Sequence, residues 1–100
     1  HAVDNEGRTL VWIASSKNQI RFLQTLLSMQ VNPNSKDKSG KTAVWIAASL
    51  GYELCLAYLA EFGACVNDAD YNGLTPMAVS IRSTAGMNKC PIVLSKYGAT

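Results

Sequence analysis

Asp4, Asp37 and Asp70 stand 33 residues apart, and Gly7, Gly40 and Gly73, then Thr9, Thr42 and Thr75, keep the same interval. Three residue types sharing one period make this a chain of repeated supersecondary units, a stronger constraint on fold than any composition figure. The apolar register agrees: Trp12 matches Trp45, Ala14 matches Ala47, Leu23 matches Leu56, and Leu26 matches Leu59. Asn34 and Asn67 follow it too. The units run approximately over residues 4–36, 37–69 and 70–100.

Each unit opens on Asp-x-x-Gly, a turn sequence in which Asp can accept bonds from nearby amides and Gly can take a positive φ. The spacing predicts a short hairpin finger there. Thr9, Thr42 and Thr75 then precede apolar runs, where a hydroxyl can accept from an unpaired amide of a first helical turn. In the third unit Pro76 follows at the first helical position, where a missing N–H costs nothing.

A second helix is predicted from apolar residues at helical spacing. Phe22, Leu23, Leu26 and Leu27 form its buried face in the first unit, and Cys55, Leu56, Leu59 and Ala60 in the second. Gly63 and Gly98 end these helices, while Gln30 holds the corresponding place in the first unit and closes it less tidily. Ser80 to Gly98 spans two residues more than Ala47 to Gly63. The extra length is predicted as a longer loop around Thr84–Asn88. Such short helices are marginal alone and must be stabilised by stacking. The expected fold is all-α with short hairpin fingers: an elongated stack of six helices in three antiparallel pairs, a solenoid of three helix-turn-helix units.

These residues resemble the ankyrin repeat, whose 33-residue unit carries Thr-Pro-Leu-His-x-Ala. Thr75-Pro76 keeps the opening pair, whereas Thr9 with Ala14 and Thr42 with Ala47 keep its two ends. No unit has the family's His, and Trp12 and Trp45 stand in its place. The resemblance implies a module that binds a partner protein and has no catalysis of its own. The alternative it leaves open is a targeting or regulatory segment of a larger enzyme or ubiquitin-ligase adaptor.

By the same resemblance, the binding face comprises the fingers and first helices. Its variable positions are Asn5, Glu6, Arg8, Ser16 and Lys17, then Lys38, Ser39, Lys41, Ser49 and Leu50, then Tyr71, Asn72, Leu74, Arg82 and Ser83. Trp12 and Trp45 are read in two ways: as aromatic contacts for a ligand, or as residues packed between adjacent units. The resemblance further implies that Asn34 and Asn67 are possible targets of asparaginyl hydroxylation. The residues themselves favour a bond that stabilises the finger.

Other chemistries find little support. Asp68 and Asp70 could form an acid pair, but Asp70 repeats the turn residue of the other units. The single histidine is His1, so no His-based triad or metal spacing arises, and the glycines are spread by the repeat rather than clustered around a phosphate. No cofactor or metal is expected. Cys55, Cys65 and Cys90 form no paired motif, which fits a reduced intracellular setting, cytoplasmic or nuclear. Cys55 and Cys90 are read as small core residues and Cys65 as an accessible loop thiol. No apolar run reaches the length of a membrane span, so membrane insertion is not expected.

The formal charge of +2 is too small to call for nucleic acid, and scarce aromatic residues argue the same way. Its distribution is more informative. Five of the fifteen variable positions are basic (Arg8, Lys17, Lys38, Lys41, Arg82) and one, Glu6, is acidic, whereas the remainder holds four basic and six acidic residues. The expected partner segment is therefore acidic. Because the chain begins at a finger tip and Gly98–Thr100 corresponds to Gly63–Cys65, it is also read as an excerpt of a longer array.

Overall fold

The computed structural model describes residues 9–83 and 89–98. Six helices follow in order: α1 (Leu10–Ser16), α2 (Ile20–Ser28), α3 (Ala43–Leu50), α4 (Glu53–Glu61), α5 (Pro76–Ser83) and α6 (Cys90–Lys96). Each first helix starts where a Thr hydroxyl supplies the acceptor that its first turn lacks. Thr9 Oγ1 accepts from Trp12 N at 3.2 Å, Thr42 Oγ1 from Trp45 N at 3.1 Å, and Thr75 Oγ1 from Ala78 N at 3.1 Å. These caps set the helix starts in register.

Helix ends repeat as faithfully as helix starts. The first helices of units one and two stop at left-handed residues, Asn18 with φ 55° and Gly51 with φ 76°, which lie one period apart. Gln30, Gly63 and Gly98 do the same after the second helices, with φ of 61°, 87° and 91°. Gln30 thus closes its helix in the geometry of the two glycines, but as a non-glycine residue in a region that disfavours a Cβ.

The helices form two layers. The first helices α1, α3 and α5 pack side by side, as do the second helices α2, α4 and α6; α1 and α2, and α3 and α4, close across tight turns, and α5 packs against α6. Leu23, Leu56, Leu59 and Leu94 are fully buried between the layers; each such side chain contributes about 1.5–3 kcal/mol on burial. Where the first helices touch, the repeated position is small: Ala14, Ala47 and Ser80 are all buried. Helices of 7 to 9 residues hold their form through this stacking rather than alone.

Three expectations change. Phe22, predicted on the buried face of α2, is 41% exposed, whereas its register partners Cys55 and Cys90 are fully buried. That register position points back toward the preceding unit: the Cys55 thiol reaches Asn18 Oδ1 at 3.3 Å and the Cys90 thiol reaches Ala47 O at 3.9 Å. In the first unit, no described element lies on that side to cover Phe22. Ala60 likewise is only half-buried, because Cys55, Leu56 and Leu59 already fill the contact stripe of α4. The stack is also less elongated than expected, with extents of 35 × 27 × 21 Å and a radius of gyration of 12.1 Å, close to the ~13 Å of a compact globule this size. Three units are too few for the axis to dominate. The longer loop expected around Thr84–Asn88 lies outside the described residues.

Candidate protein-interaction surface

The fingers are built by two superimposable turns. Asp37 Oδ1 accepts from Ser39 N at 2.8 Å and Lys41 N at 2.9 Å, while Gly40 N donates to Asp37 O at 3.0 Å. Asp70 Oδ1 accepts from Asn72 N and Leu74 N, both at 2.9 Å, and Gly73 N donates to Asp70 O at 3.0 Å. One backbone pair closes each base, Asp37 N to Lys41 O and Asp70 N to Leu74 O. The fingers are therefore carboxylate-pinned turns, and no strand is assigned among the described residues. Asp4 and Gly7, the equivalent residues of the first unit, lie outside them.

Neighbouring fingers are tied together. Tyr71 N donates to Ser39 O at 3.0 Å, and Trp45 Nε1 donates to Leu74 O at 3.1 Å. A third tie lies at the base, where Cys65 N donates to Asn34 Oδ1 at 2.8 Å. Asn34 is thus a bridge between units one and two, a structural role that extends the finger-stabilising bond expected of it.

On this frame, Lys38 and Tyr71 are exposed at adjacent tips, Tyr71 at 69%, and Lys41 and Leu74 sit half-buried one step behind. Lys41 Nζ lies 4.8 Å from the centroid of the Trp45 ring, and Lys36 Nζ lies 5.9 Å from that of Tyr71. Each such cation–π contact is worth about 0.5–1 kcal/mol at an exposed site, and it holds a long cationic side chain over the finger. Trp45 itself is only 7% exposed, so most of its surface is spent at the junction of units two and three. Trp12 is half-buried in α1.

The remaining candidates lie elsewhere. Lys17, Leu50 and Arg82 are exposed at or beside the far ends of α1, α3 and α5, about 12 Å from the fingers by helical rise. The structure therefore divides the expected binding residues into a finger row of Lys38, Lys41, Tyr71 and Leu74 and a far row of Lys17, Leu50 and Arg82. Ser16 and Ser49 turn their hydroxyls back onto Ile13 O and Ile46 O. Asn5, Glu6, Arg8 and the Ser83 side chain lie outside the described residues.

The charge division needs one correction. Asp37 and Asp70, counted with the acidic remainder, are buried inside the fingers and engaged by amides. They do not form part of an acidic back surface. Lys36 is the residue that sequence reasoning missed: its register partner is Ala69, so the repeat carries no trace of it, and only its approach to Tyr71 reveals it.

Cys55 and Cys90 are buried and Cys65 is exposed. Burial pushes the Cys55 thiol up to about 11, and burial with the charges of Glu53 and Cys55 pushes Cys90 up to about 12. Neither is poised as a nucleophile. Among the described residues no three His, Cys, Asp or Glu side chains gather where they could hold a metal ion, and no helix is long and apolar enough to cross a membrane. A shallow groove between α2 and α4, lined by Gln24, Thr25, Ser28, Tyr58, Glu61 and Phe62, contains none of the expected binding residues.

Residues 10–100 match the family model for ankyrin repeats, in three copies. No curated protein matches the chain.

Proposed function

Since the chain belongs to the ankyrin-repeat family, whose repeats are generally protein–protein interaction modules, we propose that it binds an acidic segment of a partner protein along its finger row and catalyses no reaction itself. The observation that carries this reading is the tying of Lys38, Lys41, Tyr71 and Leu74 into one surface by the Tyr71–Ser39 and Trp45–Leu74 bonds. Lys36, Lys38 and Lys41 supply three cations on one finger, and the exposed Tyr71 ring supplies a flat apolar contact beside them. Asp37 and Asp70 do not cancel these cations at the surface, because both carboxylates are turned inward.

Rigid aromatic and cationic groups suit recognition because little conformational freedom is lost when they are covered. Trp45 acts from below: it holds Lys41 over its ring and fixes the carbonyl of Leu74. Electrostatic attraction of this kind speeds encounter more than it tightens the final complex.

Affinity capture with the purified chain, followed by association kinetics with the captured protein, tests the reading. The double variant Lys38→Glu with Lys41→Glu is expected to slow association at least tenfold at low salt and flatten its salt dependence. Association at the wild-type rate would move the binding site off the finger row.

A further inference from the structure

The helix–helix turns at the far end of the stack change character from unit to unit. Lys17 and Arg21 flank the turn of the first unit, and the residues one period later, Leu50 and Leu54, flank that of the second. In the third unit, counting its two extra residues, Lys89 takes the place of Leu54. All five are exposed, Leu50 at 46% and Leu54 at 61%. A single exposed leucine is unremarkable. Two on one turn, with cations at both matching places of unit one and Lys89 at one of the two in unit three, where Ser83 matches Leu50, form a pattern.

The turn that carries the leucines is rigid: Tyr52 N donates to Ala47 O at 2.9 Å, Gly51 N to Ala48 O at 3.3 Å, and Gly51 closes α3 in the left-handed region. Because α2, α4 and α6 pack side by side, Arg21, Leu54 and Lys89 form a row across them. Packed helices lie about 8–10 Å apart, which puts the outer cations about 16–20 Å from each other with leucine between. The acid of the central turn, Glu53, is half-buried and near enough to Cys90 for its charge to act on that thiol.

We propose that Leu50 and Leu54, bracketed by Lys17 and Arg21 on one side and Lys89 on the other, dock a short extended peptide segment with an apolar side chain at its centre and an acid toward each end. An extended chain advances about 3.3 Å per residue, so the two acids stand five or six residues apart. The leucines take the apolar side chain while the cations pair with the acids. This surface is separate from the finger row, about 12 Å away along α3, and does not depend on it. An anionic bilayer calls for a denser basic cluster, and single-stranded nucleic acid calls for aromatic stacking.

The test is an amide-resolved NMR titration of the chain with a synthetic nonapeptide bearing two aspartates at each end and leucine at the centre, the rest glycine and serine. Expected are shifts concentrated around residues 17–21, 50–54 and 89, and at least about tenfold weaker binding by Leu54→Ser and by the double variant Arg21→Glu with Lys89→Glu. All three positions are exposed, so thermal melts of these variants should match the wild type. Lys38→Glu with Lys41→Glu should leave this binding unchanged, which separates it from the finger-row reading. Four results would overturn the proposal: no shifts at millimolar peptide, shifts confined to the fingers, equal binding of a peptide with serine in place of the central leucine, or displacement of the peptide by phosphatidylserine vesicles.

Discussion

The ring of Tyr71 lies so close to Gly40 that a Cβ on Gly40 would stand 2.6 Å from Tyr71 Cδ1 and 2.8 Å from Cγ. Gly40 also has φ 81°, as Gly73 has φ 86° in the next finger, but a Cβ on Gly73 would meet nothing within 4 Å among the described residues. Gly73→Ala therefore incurs left-handed strain alone, about 1 kcal/mol, and Gly40→Ala must in addition drive the Tyr71 ring off its seat. Chemical denaturation should find Gly40→Ala the costlier by about 1 kcal/mol. In a Tyr71→Ala background, that excess should vanish.

Gln30 occupies the left-handed place filled by Gly63 and Gly98 in the other units. Relief of its strain exceeds the entropy that glycine adds to the unfolded chain. Gln30→Gly is expected to stabilise by about 0.5–1 kcal/mol, seen as a rise of a few degrees in Tm. A lower Tm would show that the helix end is held by something other than backbone conformation.

Ser15 is fully buried in α1, and its hydroxyl has no hydrogen-bond partner among the described residues, while Ala48 fills the same register position in α3. An unsatisfied buried hydroxyl costs on the order of 1 kcal/mol or more, so Ser15→Ala should stabilise by about that amount. Ser80 provides the contrast, since its hydroxyl donates to Met77 O at 2.8 Å. Ser80→Ala should bring no such gain, and urea midpoints of the two variants would display the difference.

The two buried thiols make stability depend on pH in the alkaline range. Their folded values, about 11 for Cys55 and about 12 for Cys90, lie above the ordinary 9.0 of the unfolded chain. The folded state therefore keeps protons that the unfolded state releases. Their contribution is complete below pH 9 and is lost as pH rises from there through 11 and 12. Urea midpoints should fall over this window, and less steeply in a Cys55→Ala, Cys90→Ala variant. At neutral pH a thiol reagent should titrate Cys65 alone until urea is added.

The period of 33, read from Asp, Gly and Thr, was enough to determine the fold, because each of these residues acts locally. An Asp side chain pins amides two and four residues on, a Thr hydroxyl caps the amide three residues on, and a glycine supplies a positive φ at its own position. Local rules of this kind are legible without a third dimension. The ankyrin-type solenoid and its N-caps, core leucines and buried cysteines followed from them. Phe22 shows where such reading stops: helical spacing marks it as apolar, but whether it is covered depends on which element stands against that side of α2.

The binding surface belongs to the same second category. That Lys41 rests on Trp45, that Lys36 reaches Tyr71, and that Trp45 Nε1 finds the carbonyl of Leu74 29 residues away are consequences of one unit being laid against the next. The family resemblance put Lys38 and Leu50 on one face, since both are variable positions. The length of α3 separates them, with Lys38 in the finger before the helix and Leu50 at its last residue. Periodicity states which residues are equivalent; only the stacking of rigid helices decides which of them are neighbours.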